Sequence, residues 1–430
     1  MPVLKKIASL LLAAALAASL GLHSSAAAAG FGNFEYADTY KDGQFIDVQS
    51  TEWYAGYVAD ACNFGFINGK SESVFDPGGI LTLGEAVTLA ARIRAIYYTG
   101  VSDFPSTVPY YTAYANYALE HGMISSHLDY TAPATRAQLV RLFYNALPKE
   151  AFPEINNIPM YSICDVTPDM AFGPAVYAFY RAGILTGSDR YGTFFPDSNI
   201  TRAETSALAV RLVDPAFRIS TVLPSFIDAE VIFQRSCDAA IMLETFDSKG
   251  ASIRTGSAFF ISREGFAITC LHVFDDASSA TITLYSGETY PVKGVHAISE
   301  ENNLAVFSID SDRGDWSCLP LADSDLLEEG NTVYTIGSPR GLLNTMTEGV
   351  ISKTIRDPGK DTLIQFTAPI SFGSGGSAVL NTLGQVIGVA SSSYSYGQNL
   401  NLAVPVNHIK ALEPGKCLTL EELLIRNGDD

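Results

Sequence analysis

The chain has 430 residues, with 46 acidic side chains against 27 basic ones and a formal net charge of −19. Apolar residues make up 47% and charged residues 17%, enough apolar material for packed cores, so disorder throughout is excluded. The negative excess argues against a nucleic-acid partner, because phosphate neutralisation needs clustered Lys and Arg, and against docking on an anionic membrane through a basic patch.

At the amino terminus, Lys5 and Lys6 precede an apolar run from Ile7 to Leu22 and the small residues Ser24 to Ala29. A positive region, an apolar region and a small-residue zone in that order predict a secretory signal over residues 1–29. The competing reading is an uncleaved anchor, for which the run is short. With the signal removed, the chain is expected to be exported, without a membrane-spanning helix. The six cysteines, Cys62, Cys164, Cys237, Cys270, Cys318 and Cys417, form no C-x-x-C pair and no cluster with His. A zinc site is therefore not expected, and no cofactor is implied. Export permits disulfides, but the spacing assigns none, and buried free thiols are the default in a chain with real cores.

Between residues 45 and 212 the sequence repeats itself. The first unit, residues 45–98, contains Phe45-Ile46-Asp47, Gly65-Phe66-Ile67-Asn68-Gly69, Phe75-Asp76-Pro77 and Thr82-Leu83-Gly84-Glu85. The third, residues 160–212, contains Cys164-Asp165-Val166, Gly183 to Gly187, Phe195-Pro196-Asp197 and Thr201-Arg202-Ala203-Glu204. A shorter middle unit, residues 104–147, has His121-Gly122-Met123-Ile124 and Thr135-Arg136-Ala137-Gln138. Tyr54 to Asn63 and Pro174 to Ala182 carry apolar residues at helical spacing. Thr201 three residues before Glu204, and Thr135 three before Gln138, are capping-box spacings that open a second helix. Each unit is thus a helix, a loop and a helix. One unit cannot bury its own core, so three must pack together.

These residues resemble the S-layer homology repeat. The resemblance implies a three-pronged all-α domain that binds a secondary polymer of the bacterial cell wall. Its Thr-Arg-Ala-Glu motif implies polymer-binding roles for Arg202 and, with Gln138 in place of the Glu, for Arg136. In the first unit Leu83 stands where the Arg is expected, so one groove is expected to be weak. Without the resemblance, both arginines read equally well as ordinary solvated residues at helix starts. A guanidinium at a helix start also suits an anion site.

The pattern breaks at Pro215 and Pro224, which predicts a linker over residues 213–230. Beyond Val231 short β-rich runs follow one another: Ala239 to Thr245, Ser257 to Ser262, Ala267 to Thr269, Ala280 to Tyr285, Leu304 to Ile309, Thr332 to Ile336, Gly349 to Thr354, Leu363 to Phe366, Val386 to Ser391 and Asn401 to Val404. Many short strands predict an all-β sandwich or barrel over residues 231–412, followed by an acidic tail, residues 413–430. A His after a strand, His272, and a Gly-Ser loop, Gly373 to Ser377, stand out there, each weak by itself.

In order, Gly256-Ser257-Ala258-Phe259, Gly265 to Val273, Asn303-Leu304-Ala305-Val306, Ile336-Gly337-Ser338-Pro339, Gly349-Val350-Ile351-Ser352, Ala368 to Ser377 and Gly384 to Val389 resemble the trypsin-like serine proteases, nearest the bacterial HtrA-type group. The resemblance implies a chymotrypsin-like double β-barrel and a cleft for peptide or protein. It carries no PDZ-like module after the match. His272 falls at the base position, but Asn303 stands where the orienting Asp belongs. An amide supplies no negative charge and can present a donor to Nδ1. Counting five residues from Ile370 and six back from Asn381 both give Gly375 at the nucleophile position, which leaves no hydroxyl. A register shifted by one instead makes Ser374 the nucleophile and puts Phe372 at the Gly of the oxyanion loop. Ser377 is a weaker candidate, and Asp275 and Asp276, so near His272, are expected to face solvent.

Besides a purely structural wall protein whose barrels have no ligand, two readings follow. One is a cell-wall-anchored protein whose barrels bind peptide or protein without cutting it. In that reading the amides of Gly373 and Gly375 form an anion-binding nest like an oxyanion hole, able to hold a peptide or a terminal carboxylate. The other is an active surface endopeptidase using Ser374 and His272. Ser391 to Asn401 would border the specificity pocket and carries no acid to attract a basic side chain.

Overall fold

The computed structural model describes residues 28–37, 39–355, 363–391, 400–413 and 415–428. The predicted signal, residues 1–29, lies outside them except for its last two residues. The chain packs as two compact units. One holds the residues up to Ala151 together with Asn199–Arg218, and the other holds Phe152–Ser198 and the chain from Ile219 onward.

The first unit is helical. Its helices are α1 (Ala55–Asn63), α2 (Leu83–Thr99), α3 (Thr112–Glu120) and α4 (Arg136–Ala146), joined by α6 (Arg202–Val213) from further along the chain. α1 and α3 end as their sequences require. Gly65 and Gly122 take left-handed φ of 70° and 67°, where a side chain is disfavoured, and turn the chain back under the helix. α2, α4 and α6 each open on a complete capping box, Thr82 with Glu85, Thr135 with Gln138 and Thr201 with Glu204. Each box satisfies backbone donors at the helix start and contributes about 0.5–2 kcal/mol.

The three residues before these boxes are tied into a ring. Leu81 N–H donates to Ile200 O at 3.1 Å, Ile200 N–H to Ala134 O at 3.0 Å, and Ala134 N–H to Leu81 O at 2.8 Å. This closed circuit gives the repeats their threefold character. It also explains why residues 199–218 belong with the first unit rather than with the rest of the third repeat.

The second unit begins with that remaining part. Helix α5 (Gly173–Arg181) and its loops are bonded to the chain that follows. Buried Gln385 donates from Nε2 to Ile163 O at 2.8 Å. Arg235 bonds Asp189 Oδ2 at 3.0 Å and Thr193 Oγ1 at 3.0 Å. Arg235 lies on helix α7 (Ala229–Ser236), which the strand pattern did not predict.

Twelve strands then form two closed antiparallel barrels. The first consists of β1 (Ala240–Phe246), β2 (Ser252–Phe260), β3 (Phe266–Cys270), β4 (Ser279–Thr283), β5 (Thr289–Ser299) and β6 (Leu304–Ile309), in the order β1-β2-β3-β6-β5-β4. The second consists of β7 (Thr332–Gly337), β8 (Thr345–Ile355), β9 (Leu363–Phe366), β10 (Ala378–Leu380), β11 (Val386–Ser391) and β12 (Asn401–Pro405), in the order β10-β11-β12-β9-β8-β7. Phe259, Phe260 and Phe307 fill the first core and Phe366 the second, all fully buried and each stabilising by about 1.5–3 kcal/mol.

All ten predicted runs form strands; β10 lies outside them, and so does β5. Its Pro291 and Gly294 read as turn residues, and the ladder accommodates them with irregularities at 292/294 and 295/297. After the short helix α8 (Val406–Lys410), the predicted acidic tail contains a bridge and a helix. Leu418 bridges to Val295, and helix α9 (Leu420–Gly428) buries Leu420 and Leu423 in the core of the first barrel. All six cysteines are free thiols.

Candidate functional site

A cavity of about 1030 Å³ opens between the two barrels. His272, Val273, Arg254, Thr255 and Gly256 line it from the first barrel, and Arg340, Ser391, Gly375 and residues 370–373 line it from the second. β3 delivers His272, which sits in a single 3-10 turn at the strand's end. Asn303 occupies the tight turn between β5 and β6 with a left-handed φ of 51°, a conformation Asn tolerates better than most residues.

The amide of Asn303 meets the histidine twice. Its Oδ1 accepts the backbone N–H of His272 at 3.0 Å, and its Nδ2 lies 2.8 Å from His272 Nδ1. The first contact fixes the second. Turning the amide over would set NH₂ against a backbone N–H, two donors face to face. Nδ2 therefore donates to Nδ1, Nδ1 is the acceptor, and the ring proton sits on Nε2. A serine base needs the opposite tautomer, with a lone pair on Nε2.

The loop between β9 and β10 supplies the other half. A Cβ placed on Gly375 would lie 3.4 Å from both Nε2 and Cε1 of His272, so this glycine is the residue that faces the histidine's outer nitrogen. Ser374 is turned the other way. It is only 4% exposed, its Oγ accepts the backbone N–H of Ser371 at 3.1 Å, and its own N–H donates to Ser371 O. Among the described residues that line the cavity Ser374 does not appear. The loop takes a left-handed φ of 87° at Gly373 and not at Phe372, a residue 88% exposed. Ser377 is buried. Asp275 and Asp276 are exposed, and Asp276 lies 3.5 Å from Arg254.

Sequence reasoning missed Ser257, on β2, which organises this loop. Its N–H donates to Gly375 O at 2.9 Å, its Oγ donates to Gly373 O at 2.7 Å, and that Oγ also accepts Ser338 N–H at 2.8 Å. The amides of Gly373 and Gly375 share their peptide planes with Phe372 O and Ser374 O, which accept Arg340 N–H and Ser377 N–H at 2.9 Å, and neither amide has an acceptor among the described residues. The left-handed Gly376 is also required here, because a Cβ there would fall 1.9 Å from Ser257 O. Behind His272, burial pushes the Cys270 thiol up to about 12. The expected specificity segment begins at Ser391 on the cavity wall, and residues 392–399 lie outside the described residues.

The two arginines singled out in the repeats lie in the helical unit, and both are buried. Arg202 donates from Nε to Phe75 O at 2.9 Å and from an Nη to Asn68 O at 2.6 Å, and its guanidinium stacks 4.7 Å from the Phe75 ring. Arg136 pairs with Glu204 of the third capping box at 2.6 Å. Asp47 sits in the same region as Arg202. Burial pushes its carboxyl up, but bonds from the N–H groups of Phe75 and Asp76, together with Arg202, hold it below its usual value. Asp165 repeats that clamp on Phe194 and Phe195 in the second unit, where near-complete burial wins and raises it.

The profile of the trypsin-like peptidase domain matches residues 256–389, and that of the S-layer homology domain matches residues 44–87 and 165–206. The chain carries a trypsin-like peptidase domain and S-layer homology repeats. The chain is 32% identical over 165 residues to a Synechocystis protein named as the serine protease HhoA, across 37% of this chain and 42% of that one. It is 32% identical over 155 residues to a Rhizobium meliloti protein named as a periplasmic serine endoprotease, DegP-like, across 35% of this chain and 30% of that one. The chain thus spans less than half the length of either relative. A solved HtrA-type protease with a tripeptide is similar at 27% identity and a TM-score of 0.40, covering 43% of this chain and 62% of that one.

Proposed function

We propose that this is an exported, cell-wall-anchored protein whose trypsin-like domain binds peptide or protein in its cleft without hydrolysing it. The observation that carries the reading is the pairing at His272: a glycine faces Nε2, and an amide holds Nδ1. Acyl transfer needs a hydroxyl at the first position and a base with a free lone pair there. The cleft keeps the parts that bind a chain, a walled cavity and a glycine nest, while lacking both parts that cut one.

The S-layer homology repeats support attachment to a secondary polymer of the wall. Arg136 and Arg202 are its proposed cationic contacts, reached from the edges of their buried guanidinium groups. The domain limits proposed are 45–98, 104–147 and 160–212 for the repeats, 213–230 for the linker, 231–412 for the peptidase-like barrels and 413–430 for the tail. The alternative, an active endopeptidase using Ser374 and His272, would require Ser374 Oγ to abandon the Ser371 N–H and turn into the cavity.

Incubating the full chain with purified bacterial walls and a peptide pool tests both halves. Retention on the walls with the peptides recovered whole is the expected result. Cleaved peptides would overturn the binding reading, and failure to sediment with walls would overturn the anchor.

A further inference from the structure

Three donors lie around Gly375 on the cavity wall. The amides of Gly373 and Gly375 are two of them, left without an acceptor among the described residues while Phe372 O and Ser374 O, across the same peptide bonds, accept Arg340 N–H and Ser377 N–H. The third is His272 Nε2–H, made a donor by the Asn303 amide on Nδ1. The space between them is the volume that a side chain at 375 would fill, since its Cβ would sit 3.4 Å from Nε2. Arg340 adjoins the same loop. Its backbone N–H donates to Phe372 O at 2.9 Å, and a Cβ on Gly373 would lie 2.9 Å from that nitrogen. The Arg340 side chain is exposed on the cavity wall, and its backbone is held at a left-handed φ of 52°, which is strained for a residue with a Cβ. The cavity's other cation, Arg254, is engaged with Asp275 O and Asp276.

Donors alone, with a cation beside them, suit an acceptor that carries negative charge. In a cleft of this type the nest receives a main-chain carbonyl oxygen of the bound chain. A carboxylate at that place is therefore the end of a chain, not a side chain. We propose that the cleft is a receptor for the free C-terminal carboxylate of a peptide, with one oxygen on the Gly373 and Gly375 amides and the other on His272 Nε2–H, and with Arg340 beside both. This rests on the non-hydrolysing reading above. In it the two replaced triad positions act together: Asn303 turns the histidine into a donor, and Gly375 clears the room for the second oxygen.

The test uses the full chain and a pool of octapeptides randomised over the last four residues, made once as free acids and once as C-terminal amides. Retained peptides are identified by mass spectrometry, and the best sequence is titrated in both forms by fluorescence polarisation. The free acid is expected to bind at least tenfold more tightly than its amide. Arg340→Gln and Asn303→Asp are each expected to weaken the acid at least fivefold and leave the amide unchanged, the second because Asp takes the proton to Nδ1 and turns a lone pair toward the carboxylate. Equal binding of acid and amide overturns the receptor while leaving peptide binding intact, as does recognition that follows an internal Asp or Glu in the amidated pool. Retention of neither form overturns it, and cleavage of the peptides overturns the reading beneath it.

Discussion

Two substitutions, Gly375→Ser and Asn303→Asp, should convert the cleft into a serine protease site. The backbone at Gly375 is not in the left-handed region, so a serine there is unstrained, and its Cβ would make ordinary contacts of 3.4 Å with the imidazole. From that Cβ a hydroxyl can come within hydrogen-bond reach of Nε2, about 2.6–3.2 Å. The nest is already organised by Ser257. Serine alone would still face a histidine whose Nε2 carries the proton. Replacing the triad Asp by Asn costs a trypsin-like enzyme about 10⁴ in turnover, or about 5.4 kcal/mol at 1.36 kcal/mol per decade. Gly375→Ser by itself is therefore expected to stay near background. The double variant should exceed it by about 10³–10⁴ in hydrolysis of a fluorogenic peptide mixture. The carboxylate introduced by Asn303→Asp would accept Nδ1–H while keeping the bond to the His272 backbone N–H, so no rearrangement is required. A double variant no faster than the single one, or a native protein as fast as either, would refute the tautomer argument.

Other outcomes follow from the same geometry. Long-range ¹⁵N–¹H spectra of the native protein should show the His272 proton on Nε2, moving to Nδ1 in Asn303→Asp; a native Nδ1–H would mean the Asn303 amide is oriented the other way. Arg202→Ala should strip the donors from Phe75 O and Asn68 O, costing about 1–3 kcal/mol in denaturant unfolding of the helical unit; an unchanged midpoint would show those bonds to be dispensable. Cys270, with its thiol pushed up to about 12 by burial, should resist iodoacetamide at pH 8 until the chain unfolds. Because its folded pKa is raised, its contribution to stability is fully present below the ordinary thiol range, about 8.5, and is lost as pH rises from there towards about 12. Cys270→Ala should therefore flatten the alkaline limb of a stability profile, and an unchanged limb would exclude that source.

Much of this was legible in the sequence because the signals were local. Thr201 and Glu204 announce their capping box by spacing alone, and the strands before His272 and around Val386 are largely apolar runs. β5 was hidden because Pro291 and Gly294 mimic turn chemistry inside a strand that tolerates them through irregular register. Helices α7 and α9 were missed although both are amphipathic: their eight or nine residues fall in stretches read as linker, strand and tail, and Ile232 and Leu423 become core only when the barrels are there to receive them.

The position of Gly375 could be counted from flanking residues, but the direction of Ser374 Oγ could not. Nor could the lock on Asn303, which depends on a backbone N–H 31 positions away in sequence. Arg340 left no pattern at all, since its place beside the nest is set by a contact between two loops. Arg136 and Arg202 were noticed as cations, yet their burial and their carbonyl and carboxylate partners are tertiary facts.

The most direct test of the proposed loss of the nucleophile is the intact mass of the native full chain after prolonged exposure to a fluorophosphonate, with the Gly375→Ser, Asn303→Asp double variant alongside. The native protein should keep its mass while the double variant gains one adduct at residue 375. An adduct on native Ser374 that disappears in His272→Ala would contradict the account.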